Sequence, residues 1–339
     1  MRNAIPLDLI ARKHKELFSR LRRRLNHVDI TEPGREVIVS LHRVIYDIMR
    51  RGDCAGEMWI EYAKFLRDSG NPQAALNAVR QVTTSWERNP TFSKYYRLQA
   101  ELIWALGEHQ NAIQFATKYA ADKSLPPQVR GALLLQSTNW RQHTASDTSA
   151  TVMNNFKEVL SLHASEEAHF EFAMFLDKNF QTITKNQNGG GGAAASPTTS
   201  TDPRVAVRNK QDYNLACENY LFPMIDHFGQ SLKHGHVHLF TSLPRLFGRW
   251  LDTSAYFTKE GAPAKMHQML LESASKHLVG TNALSTSVLI AALSQIVSRL
   301  GHPRQETLTV LAKISTALLQ AYPQPVLWAL LPLIYSASS

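Results

Sequence analysis

A repeat of 37 residues constrains this 339-residue sequence more than any other feature. Its pattern is a small residue, a glycine seven positions later, an alanine after twelve and an aliphatic residue after thirteen. The pattern occurs at Ala63, Gly70, Ala75 and Leu76, and again at Ala100, Gly107, Ala112 and Ile113. Small residues let two helices approach closely, and glycine adopts the left-handed conformation that ends many helices. The repeat therefore predicts helical hairpins, which must stack because one hairpin cannot bury its own apolar face.

Apolar residues recur at helical spacing along most of the chain, and we find no convincing alternating strand pattern. Leu7–Leu25 and Val37–Arg50 each show one apolar stripe, and Ala132–Leu135 opens a candidate pair with Val152–Leu162. Glu171–Leu176 repeats the pattern of Glu61–Leu66 after 110 residues, close to three repeats. The predicted fold class is all-α, a helical-hairpin (TPR-like) repeat solenoid.

We predict four segments along the chain. Residues 1–40 form a basic helical lead-in, and residues 1–51 hold twelve Lys or Arg against six Asp or Glu. Residues 41–185 carry the helical repeats, and residues 186–208 form a flexible loop rich in Gly, Ala, Ser, Thr and Pro. Residues 209–339 form a second helical part. Its predicted helices cover 212–233, 237–252, 264–279, 285–299, 306–321 and 325–335.

Two cysteines, Cys54 and Cys217, are too few and too isolated for a disulfide framework or a zinc site, which favours a reducing compartment. The most apolar stretch, Val326–Tyr335, is too short to cross a bilayer. No secretory signal precedes the basic segment. We therefore expect a soluble protein with no membrane partner.

Motifs for catalysis are missing. His42-Arg43 is followed by Val44, so a kinase catalytic loop is not present, and Asp-Phe-Gly does not occur. Gly189–Gly192 lacks the strand, the helix and the lysine of a phosphate-binding loop. We predict no catalytic residue and no cofactor-binding residue in this chain.

His234, His236 and His238 are the best candidates for a metal site, because alternating histidines can converge on zinc or copper. A solvated turn between helices explains them better, since no cysteine or acidic ligand lies at suitable spacing, and we predict no metal ligand. The pair Glu166-Glu167, and Asp252 with Glu260, are better explained as exposed charges or helix caps than as general acids and bases.

Five tryptophans are predicted to anchor the core rather than to stack on nucleic-acid bases: Trp59, Trp104, Trp140, Trp250 and Trp328. The basic lead-in is read as a solvated helix face, so direct binding of nucleic acid is not expected.

An ordered series of segments resembles the FAT region of ATR-type checkpoint kinases, in the phosphatidylinositol-3-kinase-related protein kinase family. Residues 168–178 resemble a FAT pattern of Ala/Gly-His-Phe followed by Leu-Ala-x-Tyr-Tyr-Asp-Lys, with Phe175 and Leu176 at the two tyrosine positions. The resemblance covers about residues 40–339, whereas residues 1–40 and 186–203 have no counterpart. Its other segments are Gly56–Ala78, His227–Gly235, Ser242–Leu246, Trp250–Asp252, Ser294–His302, Ala321–Gln324 and Trp328.

The resemblance implies a non-catalytic scaffold that wraps and restrains the kinase domain of the same polypeptide. It also implies a nuclear protein of DNA damage and replication checkpoint signalling, which works with ATR-interacting protein and forms a homodimer. The uncharged segment Ile314–Ser339 independently predicts a docking helix. The alternative is a free-standing TPR-like adaptor that binds protein partners in its concave groove.

Overall fold

The computed structural model describes residues 16–17, 19–20, 23, 33–49, 52–85, 93–145, 147–187, 203–260 and 262–337. Within these ranges the regular structure is helical and contains no strand. The chain divides into two compact units, Met1–His163 and Ala164–Ser339. The prediction of an all-α helical-repeat solenoid is confirmed.

The first unit is a succession of antiparallel helices, each packed on the next along the chain. Its apolar residues form clusters between neighbouring helices rather than one central core. This is the packing that stacked hairpins require. The helices are α1 (Pro33–Ile48), α2 (Gly52–Asp68), α3 (Pro72–Ser85), α4 (Ser93–Ala105), α5 (His109–Ala121), α6 (Pro127–His143) and α7 (Ser149–Leu162).

The two copies of the 37-residue repeat fold alike. Gly70 ends α2 with a φ of 81°, and Gly107 ends α4 with a φ of 83°. At each glycine the chain closes a Schellman turn, with the Asn71 N–H on the Leu66 carbonyl and the Glu108 N–H on the Ile103 carbonyl. The repeated alanines at 63, 75, 100 and 112 are fully buried, as expected for residues that lie between packed helices.

Tryptophans supply part of the packing as predicted. Trp104 and Trp140 stack in parallel, with ring centroids 4.7 Å apart, and so join α4 to α6. Trp140 and Trp250 are buried, whereas Trp59 and Trp104 are half-buried. The prediction for Trp328 is wrong, because its side chain is 69% exposed while the neighbouring Val326 is the residue that turns inward.

The second unit is built around one central helix. This helix, α10 (Phe222–His234), packs against α8 (Glu166–Gln187), α11 (Leu239–Glu260) and α12 (Ala264–Leu278). The remaining helices are α9 (Pro203–Ala216), α13 (Thr286–Leu289), α14 (Leu293–Ser298), α15 (Gln305–Ala321) and α16 (Pro323–Ala337).

Two predicted helices are interrupted locally. The helix predicted over 212–233 begins at Pro203 and contains a π-helical turn, Cys217–Leu221, where the Phe222 N–H donates to the Cys217 carbonyl. Such a turn absorbs an extra residue just before Pro223, which has no N–H to donate. A 3₁₀ turn, Ile290–Ala292, divides the helix predicted over 285–299.

The predicted loop over 186–208 is shorter than expected. Helix α8 continues to Gln187, and α9 begins at Pro203, so residues 203–208 are helical. The correction has a simple cause, since proline is favoured at the first position of a helix. The glycines at 189–192 lie outside the described residues.

We predict that Gly107→Ala destabilises the first unit by about 1 kcal/mol, because an alanine side chain strains the left-handed backbone. Gly107→Asn should cost less, since asparagine tolerates this conformation. Urea titration followed by helical circular dichroism measures both changes. Gly34→Ala is the control, because Gly34 lies in α1 with ordinary φ and open space around its Cα. Equal costs at positions 34 and 107 would contradict the prediction.

Candidate functional site

The polar interactions of the second unit concentrate where α8 faces α10 and α11. Segments 168–178 and 227–235, both quoted above for their family resemblance, lie in α8 and α10. These two helices pack side by side, so residues far apart in the sequence become neighbours. The candidate site is a set of buried polar contacts that fixes these helices relative to one another.

Asp177 is the most buried carboxylate of this site, with its side chain 1% exposed. Arg245 donates to one carboxylate oxygen at 2.8 Å, and Arg249 donates to the other at 2.8 Å. Gln181 Nε2 donates to Asp177 Oδ2 at 2.9 Å from one turn further along α8. We call these four residues the Asp177 clamp. It joins α8 to α11 by charge-assisted hydrogen bonds with fixed directions.

His169 and His227 form a second link, between α8 and α10. Their Nδ1 atoms lie 3.0 Å apart, so one ring donates a proton and the other accepts it. Burial lowers the pKa of each histidine to about 4, which keeps the pair neutral near pH 7. The other charged and titratable groups that act on this pair are Asp226, His234, Lys276 and His277.

Asp226 links α10 to α12. Its Oδ1 lies 2.7 Å from Lys276 Nζ and 2.7 Å from His277 Nε2. Burial alone would raise the pKa of Asp226, but the hydrogen bonds from His277 and Lys276 outweigh it and hold the pKa below its usual range. Gly229 makes room for this contact, because a Cβ there would lie 2.3 Å from the ring of the fully buried His277.

Glu166 anchors the turn between α10 and α11. Its Oε1 accepts from the backbone N–H of His238 at 2.8 Å, and its carbonyl accepts from Ser231 Oγ at 3.2 Å. Glu166 therefore serves as a helix cap from outside the helix, one of the roles predicted for it. Gly235 fits tightly against the same carboxylate.

The three histidines proposed as an alternative metal site are spread over this turn. His234 stacks on His169 with centroids 5.3 Å apart, and His238 stacks on Phe170 at 3.9 Å. His236 is exposed. Within the described ranges no group of three or more His, Cys, Asp or Glu side chains is arranged to hold a metal ion.

Asp252, which was paired with Glu260 as a possible acid–base group, has a structural role. Asp252 accepts from Arg299 at 2.7 Å, with both side chains exposed, so α11 is tied to the end of α14. In the same region His302 Nε2 lies 3.2 Å from the Leu251 carbonyl. The segments Trp250–Asp252 and Ser294–His302 therefore meet in the structure.

The buried thiol of this unit is not poised for chemistry. Burial raises the pKa of Cys217, so the sulfur stays protonated and is a poor nucleophile. The site described above holds groups that are paired with one another, which suits them to positioning helices. None of the helices in the described part of the chain has the length and apolar character needed to cross a bilayer.

Two models of known families match this chain. A family model described as "FAT domain" matches residues 3–247, and this range includes the Asp177 clamp except for Arg249. The chain belongs to the FAT domain family. A second model, described as "Serine/threonine-protein kinase ATR-like, HEAT repeats", matches residues 274–339 of this FAT chain. The resemblance found in the sequence is thus confirmed.

Several kinases are similar to the FAT chain over most of its length. Serine/threonine-protein kinase ATR of Drosophila melanogaster is 27% identical over 298 residues, which cover 83% of the chain and 10% of that kinase. The Arabidopsis thaliana kinase of the same name is 23% identical, covering 87% of the chain and 12% of the relative. Protein kinase rad3 of Schizosaccharomyces pombe is 22% identical, with coverage of 94% and 14%. The chain therefore spans about a tenth of the length of these relatives.

The FAT match corrects the prediction for residues 1–40. We expected residues 1–40 to have no family counterpart, but the FAT match begins at residue 3. The lead-in is therefore part of the FAT region. The FAT match ends at residue 247, inside α11, so the second predicted FAT part, 209–339, is only partly covered by it.

The sequence indicates the segments that form this site, but it does not show which of their side chains contact one another. Asp177 was noted only as a family match, and the roles of Arg249 and His227 were not anticipated. A usable signal existed for the arginines, because Arg245 and Arg249 stand four residues apart and share one helix face. Nothing in the spacing of residues 177 and 245 shows that they meet.

We predict that Asp177→Asn destabilises the second unit by roughly 2–3 kcal/mol, because it leaves two arginines without their charged acceptor. Asp252→Asn is the matched control, since it removes a carboxylate from an exposed pair with Arg299 and should cost less than about 1 kcal/mol. Chemical denaturation followed by tryptophan fluorescence, to which the buried Trp250 contributes, measures both. Similar costs for the two variants would refute the special role of the clamp.

We predict that the second unit loses stability as pH falls from about 7 to about 5. The pKa of His169 and of His227 is lower in the folded than in the unfolded chain, so protons bind the unfolded state preferentially below about pH 6.5. The expected loss is roughly 1–2 kcal/mol for each histidine of the pair. His169→Gln should flatten this part of the profile, whereas His236→Gln, at an exposed position, should leave it unchanged. An unaltered profile for His169→Gln would exclude the pair as the cause.

Proposed function

We propose that this chain is a non-catalytic helical scaffold of an ATR-like serine/threonine protein kinase, which wraps and restrains the kinase domain of the same polypeptide. The FAT match over residues 3–247, followed by the ATR-like HEAT-repeat match over 274–339, carries the proposal. The relatives reported above, named as ATR and rad3 kinases, support it.

The Asp177 clamp suits a restraining role. Apolar contacts let helices slide over one another at small cost, whereas hydrogen bonds to a buried carboxylate hold a fixed distance and direction. A displacement of α11 would have to break the contacts of Arg245 and Arg249 at the same time. A scaffold with such links transmits a displacement instead of absorbing it, which is what biasing a kinase domain between two arrangements requires.

The setting of this function follows from the family resemblance. We propose a role in DNA damage and replication checkpoint signalling in the nucleus, with ATR-interacting protein as a partner and a homodimer as the assembly. We also propose that the basic lead-in, which the FAT match includes, belongs to the helical array and does not bind nucleic acid directly.

A chimera tests the scaffold function. In full-length Drosophila melanogaster ATR, the 298 matched residues are replaced by the corresponding part of this chain, and phosphorylation of a peptide with serine before glutamine is measured. We expect regulated kinase activity, with its basal level altered severalfold by Asp177→Asn and unaltered by Asp252→Asn. Size-exclusion chromatography of each purified chimera checks that it is folded.

A binding experiment covers the case in which the chimera does not fold. The purified chain is mixed with the kinase domain of the same relative, and co-elution is measured. We expect a complex. The free-standing adaptor would be favoured instead if the chain eluted without the kinase domain but bound short peptides. In that case Asp177→Asn should leave the peptide binding unchanged.

A further inference from the structure

Helix α1 carries apolar residues on two opposite faces. Val39, His42 and Tyr46 are buried, and Val39 and Tyr46 pack with Ala55 and Met58 of α2. The other face consists of aliphatic side chains that are 69%, 57%, 46% and 76% exposed. We call these residues the α1 stripe: Val37, Leu41, Val44 and Ile48.

The α1 stripe has the geometry of a helix-packing surface. Its members are spaced by four, three and four residues, so they fall within an arc of about 60° on the helix surface. They extend over about 16 Å of the helix axis. A helix that is apolar on both sides belongs in the middle of a stack, whereas one at the surface keeps a single apolar face.

The lead-in segment offers a matching surface. Leu7, Ile10, His14, Leu21 and Leu25 are spaced by three, four, seven and four residues, so they define one side of a helix. The described residues of this segment, at positions 16–17, 19–20 and 23, are helical. Glu16, Ser19, Arg20 and Arg23 are exposed and lie on the opposite side of that helix, and Leu17, at the rim, is 40% exposed.

We propose that the α1 stripe is the docking surface for residues 7–25 of this chain, which pack against it as the first arm of a helical hairpin. Seven residues, 26–32, separate the two arms, within the range of helix–helix connections in bundles. The FAT match begins at residue 3, so the first arm belongs to the same repeat array. In an antiparallel hairpin closed by residues 26–32, residue 25 faces residue 33, so the proposed packing places Leu21 opposite Val37 and His14 opposite Val44.

A second copy of the chain is a weaker occupant. A stable dimer usually buries about 800 Å² on each partner, from 20–30 residues a side. Four side chains on three turns of α1 fall well short of that. A tethered segment needs less contact area, because its effective concentration near the stripe is on the order of millimolar.

Hydrogen exchange on the full chain tests the proposal. Amides of residues 7–25 should be protected roughly tenfold or more, and Val44→Asp should abolish that protection while α2–α7 stay protected. Val237→Asp is the matched control, because Val237 is 85% exposed in the second unit and should change nothing at residues 7–25. Leu21→Asp should reproduce the effect of Val44→Asp, and the double variant should add nothing further.

Three results would overturn the proposal. The first is an unprotected segment 7–25 in the parent chain, and the second is protection that survives Val44→Asp. The third is a dimer, seen by light scattering, that Val44→Asp dissociates, which would assign the stripe to a second copy. Should Val44→Asp unfold α2–α7, Leu21→Asp alone decides, since it leaves α1 unaltered.

Discussion

A helical hairpin cannot bury its own apolar face, and this constraint organises the first unit. Each helix from α1 to α7 therefore shares its apolar residues with the next one, and the clusters lie between neighbours. The left-handed glycines at 70 and 107 set where each hairpin turns, and the fully buried alanines set how closely its helices approach. An alanine followed by a glycine seven residues later thus determines much of how each hairpin folds.

The second unit adds directional contacts to this scheme. Around α10, the apolar core holds Trp250, Phe228 and Phe247, which are shielded from solvent but do not by themselves fix the register of the helices. The Asp177 clamp, the His169–His227 pair and the Asp226–His277 contact supply that register. Buried polar pairs tolerate few alternative arrangements, because an unpaired partner is costly.

The family motifs gain a physical meaning from these contacts. His169 and Asp177 come from one motif, His227 and Gly229 from a second, and Arg245 from a third. Each meets a partner from another motif or from α12, and Gly229 is needed because the ring of His277 occupies the space of a side chain. The motifs describe one set of mutual contacts.

The sequence by itself determined the helical character, the hairpin turns at Gly70 and Gly107 and the inward position of the repeated alanines. These features depend on residues within one or two turns of each other, where spacing and backbone preference are decisive. Only the tertiary structure decided that Arg245 and Arg249 hold Asp177, that Trp328 points outward and that the α1 stripe is left uncovered by the helices described. Each of these outcomes depends on which helices pack together, across 68 and 72 residues for the two arginine contacts, and local periodicity carries no information about that choice.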